Sequence, residues 1–165
     1  MALKLVPHDH EILRQKTSTF DFNNPPTDPA NLAGELAEFM IKKNGLFLTA
    51  PQVGLPYRMF VMVGNPPFAI FNPRLVDETT KEEVLEEISL SRPNLTLKIK
   101  RPAIIKVRFQ DMDGNTHTEK FIGMTARLIQ QSIDYLDGID YTRRANPIHL
   151  QRALNKKKQL DRAAK

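Results

Sequence analysis

Residues 130–138 read Gln130-Gln131-Ser132-Ile133-Asp134-Tyr135-Leu136-Asp137-Gly138. They close a helix predicted over about 123–137, with Gly138 as its stop. Ala126, Ile129, Ile133 and Leu136 recur at helical spacing and predict a face turned to the core. Gln131 and Tyr135 stand at i and i+4 and share another face, with Ser132 next to Gln131.

Working outward, residues 116–122 and 104–109 flank Asp111-Met112-Asp113-Gly114-Asn115 and predict a hairpin. Residues 95–100 alternate Leu95, Leu97 and Ile99 with polar partners, a strand pattern. Segments 58–63, 67–72 and 74–77 read as strands, with turns at Gly64–Pro67 and Asn72–Pro73. Ala33, Leu36, Ala37, Met40 and Ile41 recur at helical spacing within a helix predicted over about 28–43, and Asn44-Gly45 supplies its stop. A short helix is predicted near 9–15, and the Pro- and Asn-rich residues 20–31 read as a loop. A last amphipathic helix is predicted over about 147–162, with Ile148, Leu150, Ala153, Leu154 and Leu160 as its apolar positions. Strands in the middle and helices at both ends predict an α+β domain.

Length and composition set bounds on this reading. The chain has 165 residues, 41% hydrophobic and 26% charged, which fits one globular domain spanning 1–165. No apolar run approaches the ~18 residues of a membrane span. The N-terminal residues lack a signal-like apolar stretch, so cytoplasmic synthesis is the expectation. With no cysteine, disulfides, thiolate metal sites and cysteine nucleophiles are excluded. Charge is uneven. Residues 143–165 hold eight Lys/Arg against Asp161 alone, a net of +7, and the remainder sums to −2. This basic helix or tail, with Arg152, Lys156, Lys157, Lys158 and Arg162, is a candidate docking element for an acidic protein or for nucleic acid. A solvated helix face is the simpler reading, since no aromatic residues interleave with the charges.

Two further stretches complete a pattern. One is Gly45-Leu46-Phe47-Leu48-Thr49-Ala50-Pro51-Gln52-Val53-Gly54; the other is Glu86-Glu87-Ile88-Ser89-Leu90-Ser91-Arg92-Pro93. With residues 130–138 they resemble, in order and spacing, the three motifs of peptide deformylase: G-x-G-L-A-A-x-Q, E-G-C-L-S and Q-H-E-x-D-H-L-x-G. The resemblance runs from about residue 3 to 162. It implies antiparallel strands packed around a central helix that carries the third motif, plus a C-terminal helix. It also implies a divalent Fe, Ni or Zn ion held by the Cys of the second motif and both His of the third, with the Glu of the third as acid and base.

The departures fall on those positions. Ser89 stands at the Cys, Gln131 and Tyr135 at the two His, and Ser132 at the Glu. A carboxamide is a weak neutral ligand, and a phenol must first lose a proton with a pKa of ~10. An alcohol replaces a soft thiolate. Loss of the acid/base group alone costs a factor of about 10²–10⁴. Ser89, Gln131, Ser132 and Tyr135 could instead hydrogen-bond to one another. Gln52 and Leu90 match the oxyanion-type positions; Gln52 can equally be read as satisfying buried backbone groups. Phe47 and Ile88 replace glycines and are expected to fill the pocket.

Other candidates are weaker. His8 and His10 diverge at i and i+2. His117 and His149 are expected at the surface, and Asp134 is expected to be structural. Asp134 and Asp137 could suggest a carboxylate pair, but Asp134 matches a family position outside the metal shell. A serine nucleophile at Ser89 or Ser132 lacks a neighbouring His base. Together these features predict a catalytically degenerate peptide deformylase-like chain with no cofactor. It would be a non-enzymatic binding or structural module of a larger protein assembly such as a phage virion, with nucleic acid or the ribosome as other partners. The alternative is a divergent deformylase or amidohydrolase that removes formyl groups from N-terminal methionine with an unusual metal site.

Overall fold

The computed structural model describes residues 2–165. Asp28 caps the first helix, α1 (Pro29–Lys42), by accepting from Asn31 N at 3.1 Å, and Pro29 occupies its first turn. Both features suit a helix start, where the N–H groups have no intrahelical partner. Leu32, Ala33, Leu36 and Met40 face the core, whereas Ile41, expected there, is 59% exposed. Its position on the helix turns it away from the sheet.

Seven strands follow: β1 (Phe47–Thr49), β2 (Met59–Met62), β3 (Phe68–Glu78), β4 (Glu82–Ser89), β5 (Arg92–Pro102), β6 (Ile104–Gln110) and β7 (Thr116–Ile122). They form a five-stranded sheet ordered β1-β2-β3-β6-β7 and a separate β4-β5 hairpin. All the pairings are antiparallel. The turn expected at Asn72–Pro73 is instead a bulge inside one long β3. Asn72 adopts φ 52°, and the register shifts between Phe71 and Arg74. The Asn72 side chain exchanges hydrogen bonds with the Phe20 backbone and donates to Gln110 Oε1. A bulge tolerates the missing proline donor, so turn residues need not end the strand.

Strand β4 was not expected, because half of its residues are acidic. Their charges are matched across the hairpin, with Glu86 opposite Lys98 and Glu83 opposite Arg101. Opposite-charge cross-strand pairs stabilise such a ladder.

Helix α2 (Gly123–Leu136) is the centre of the molecule. Every residue from Ala126 to Leu136 is buried, its polar side included. Its end is fixed by Gly138 at φ 76°; a Cβ there would lie 2.7 Å from the Arg14 carbonyl carbon, so no side chain fits. Helix α3 (Pro147–Ala163) lays Leu150, Ala153 and Leu154 on Leu95, Leu97, Ile99 and Tyr141. Ile148 and Leu160, expected on its apolar face, are 67% and 42% exposed; they lie beyond the strip that β5 covers.

The polar side of α2 is tied to the hairpin by ions. Arg101 donates to both oxygens of Glu87 at 2.6 and 3.0 Å and to Asp134 at 2.8 Å. Arg127 adds a bond to Glu87 at 2.9 Å, and Arg144 grips Asp134 from outside. Burial works against the Arg101 charge, but its bonds to Glu87 and Asp134 outweigh this and raise its pKa. Removing Glu87 strips the buried Arg101 and Arg127 of the carboxylate they share, so Glu87→Ala is expected to cost about 3–5 kcal/mol of unfolding free energy. Urea denaturation of the variant checks this; a loss below about 1 kcal/mol would mean that the network does not hold the hairpin.

Candidate active site

Three elements converge beside the N-terminal half of the sheet. Ser89 ends β4, where the hairpin turns and the register shifts. Its hydroxyl lies 2.7 Å from the Tyr135 hydroxyl on α2. Ser91 N donates to Ser89 Oγ at 3.2 Å. Gln52, in a 3₁₀ turn after β1, donates to Ser91 Oγ at 2.8 Å and, more distantly, to Ser89 Oγ at 3.4 Å. Gln52 Oε1 accepts from both Thr49 N and Thr49 Oγ1. The backbone-satisfying role of Gln52 and its place beside Ser89 are therefore both real.

Gln131 and Ser132 do not join this cluster. Gln131 Nε2 donates to the Ile88 carbonyl at 3.1 Å, and Ser132 Oγ donates back to the Leu128 carbonyl at 2.7 Å. The expected network among all four positions is thus only the Ser89–Tyr135 pair, extended by Gln52 and Ser91. A backbone acceptor lies nearer to each of the other two side chains.

Phe47, expected to fill the pocket, is buried beside Tyr135 and lines the open cleft that Ile88 walls. It is 3% exposed and its ring centroid lies 6.0 Å from that of Tyr135. Ile88, expected to fill the pocket, is 50% exposed. It points outward from β4 and walls an open cleft of about 290 Å³ whose lining also includes Gly45, Phe47, Ser89, Leu90 and Arg92. Leu90 packs so tightly on Gly45 that a Cβ there would come within 2.5 Å of Leu90 Cδ1. Arg92 is held by Asp140, whose second oxygen is buried without a partner among the described residues. Ser91, Arg92 and Asp140 were not singled out from the sequence. The first two lie within the second motif, but nothing in their spacing signals that they meet Gln52 and Asp140.

The remaining candidates lie apart. His10 caps the turn at Glu11–Arg14, and His8 is exposed. His117 pairs with Asp111 at 2.7 Å, and His149 accepts from Lys98 N. Asp134 is structural, as expected, and Asp137 pairs with Arg58. Lys157 pairs with Asp161 within α3. Arg152 and Lys156 line a groove with Lys98 and His149, while Lys158 and Arg162 are not involved in it.

This architecture, a helix threaded through a sheet and hairpin with three motifs meeting at its polar side, defines the class. The polypeptide deformylase profile matches residues 2–151, and the chain belongs to that family. A peptide deformylase of Thermotoga petrophila is 40% identical over 127 residues, covering 76% of each chain. One from Wolbachia pipientis is 30% identical over 166 residues, covering 92% of this chain and 91% of its own. The Synechococcus elongatus enzyme in complex with actinonin superposes with a TM-score of 0.87 at 28% identity, covering 94% of this chain and 86% of its own.

These relatives overturn the expectation of a non-enzymatic module. They are named as the enzyme over most of the chain, and none of the names points to a virion or structural protein. The expectation that no cofactor is involved falls with it, since the family's chemistry rests on a divalent metal. The residues at the metal positions do not fit that ion. Ser89 and Gln131 are neutral, and burial, chiefly, pushes the Tyr135 phenol well above its ordinary pKa, so it keeps its proton. Zn, Fe and Ni sites draw on thiolate, imidazole or carboxylate donors, and no group of three such residues occurs among the described residues.

Burial raises the Tyr141 pKa as well. Both phenols are protonated in the folded and unfolded states below pH ~10. Above it the unfolded chain releases protons that the folded chain retains. Stability is therefore full below pH ~10 and falls above it, by about 1.4 kcal/mol per pH unit for each tyrosine. Tyr135→Phe should make the fall shallower by one such increment, as read from urea midpoints between pH 9 and 12. An unchanged slope would contradict the burial of this phenol.

Proposed function

We propose that the chain is a divergent peptide deformylase that receives an N-formylated peptide end in the cleft walled by Ile88 and Leu90. The reading is supported by the convergence of the three motifs around Ser89 and Tyr135, in a chain whose relatives carry that name. The protein's own groups offer binding and polarisation. Gln52 Nε2 makes one short and one long bond, and the long one to Ser89 is the bond that a formyl oxygen replaces most readily. Tyr135 and Ser89 are neutral hydroxyls that can donate to developing negative charge. Ser132, turned to Leu128, supplies no base.

Formate release from a formyl-methionyl peptide tests this, with and without added Fe, Ni or Zn. Slow release that saturates with peptide is expected. The variant Ser89→Cys/Gln131→His/Ser132→Glu/Tyr135→His should be at least about 10²-fold faster, because it regains the acid/base group. No release by the wild-type chain above the buffer rate would overturn the proposal.

A second reading concerns α3. Arg152 and Lys156 share one groove of about 420 Å³ with Lys98 and its cross-strand partner Glu86, and the net positive charge of this face suits nucleic acid. Binding of a short DNA duplex should weaken linearly on a log–log salt plot, with a slope of about −0.9 per phosphate engaged. Arg152→Gln/Lys156→Gln should reduce that slope; an unchanged slope would place the contact elsewhere.

A further inference from the structure

The sheet carries another concavity, of about 510 Å³, which shares no lining residue with the cleft. Its lining includes Lys16, Arg58, Arg74 and Arg108 and contains no carboxylate. The strand register sets Arg74 directly opposite Arg108 across β3 and β6. Like charges in that position destabilise an antiparallel pair. The same ladder avoids this elsewhere, with Asp77 opposite Lys106.

Arg58 is committed to Asp137 and the Pro73 carbonyl. Lys16, Arg74 and Arg108 have no side-chain hydrogen bond or ion pair among the described residues. Three free cations therefore line one hollow, with Thr17 and Thr116 also in its lining. The planar guanidinium fork matches phosphate oxygens two at a time.

We propose that this hollow binds a compact phosphoanion of the di- or triphosphate class, with Arg74 and Arg108 as its principal contacts and Lys16 alongside. A compact anion suits it better than a nucleic-acid strand. Phe109, its only aromatic lining residue, is partly buried against the core and offers no platform for base stacking.

The test is calorimetric titration of the full chain with inorganic tripolyphosphate at about 0.15 M salt, where weak surface attraction is screened. Saturable binding with one site is expected. It should weaken by about tenfold or more in Arg74→Gln/Arg108→Gln, the loss of one charge-assisted contact or more. The control Lys42→Gln/Lys81→Gln, at exposed lysines outside the hollow, should leave it unchanged. Thermal melting guards against a folding defect. Without the anion, Arg108→Gln should melt no lower than the wild type, because it relieves the Arg–Arg opposition. Tripolyphosphate should raise the melting temperature of the wild type and not that of the variant. Three results would overturn the proposal: no saturable binding, equal loss in the control, or displacement of tripolyphosphate by a short single-stranded RNA that binds more tightly through the same arginines.

Discussion

The buried contacts of Arg101 hold the hairpin of the second motif against the helix of the third. Glu87 and Arg101 belong to β4 and β5, and Asp134 to α2. Their charged bonds reinforce the neutral ones, Ser89 to Tyr135 and Gln131 to the Ile88 carbonyl, that also tie the hairpin to α2. Burying such charges is costly. It is tolerated because both oxygens of each carboxylate have partners: Arg101 and Arg127 for Glu87, Arg101 and Arg144 for Asp134. The arrangement also explains why the middle of α2 is buried on every side. A helix with a polar face can lie at the centre of a small domain only if that face meets charges and carbonyls.

The site inherits this rigidity, but its donors are neutral. Hydroxyls and carboxamides occupy the places where the family's chemistry calls for thiolate, imidazole and carboxylate. They divide between two kinds of partner. Ser89 and Tyr135 bond to each other, while Gln131 and Ser132 turn to backbone carbonyls. Family membership and donor chemistry thus bear on different matters. The first concerns the shape of the site; the second concerns the chemistry its side chains can supply.

Much of the architecture was legible because it rests on local patterns. The helical spacing of Ala33, Leu36 and Met40, the Asn44-Gly45 stop, the Asp-Gly hairpin and the three motif stretches each carry their own signal. Strand β4 was not legible, because its acidic residues pair with cations that are distant in sequence. Nor was the bulge at Asn72, since the same two residues spell a turn unless a neighbouring strand runs past them. On α3 the periodicity marked Ile148 and Leu160 with Leu150 and Leu154, but periodicity does not say how wide a strip β5 covers.

By itself, then, the sequence determined the family, the central helix and the identity of the donors at the altered site, since motif order and residue chemistry are properties of the chain. Only the tertiary structure decided which donors meet. Hydrogen bonds form with whichever acceptor the packing brings within about 3 Å. That criterion joined Ser89 to Tyr135, sent Gln131 to Ile88, held Arg92 on Asp140, and placed Arg74 across from Arg108 on a face where no motif lies.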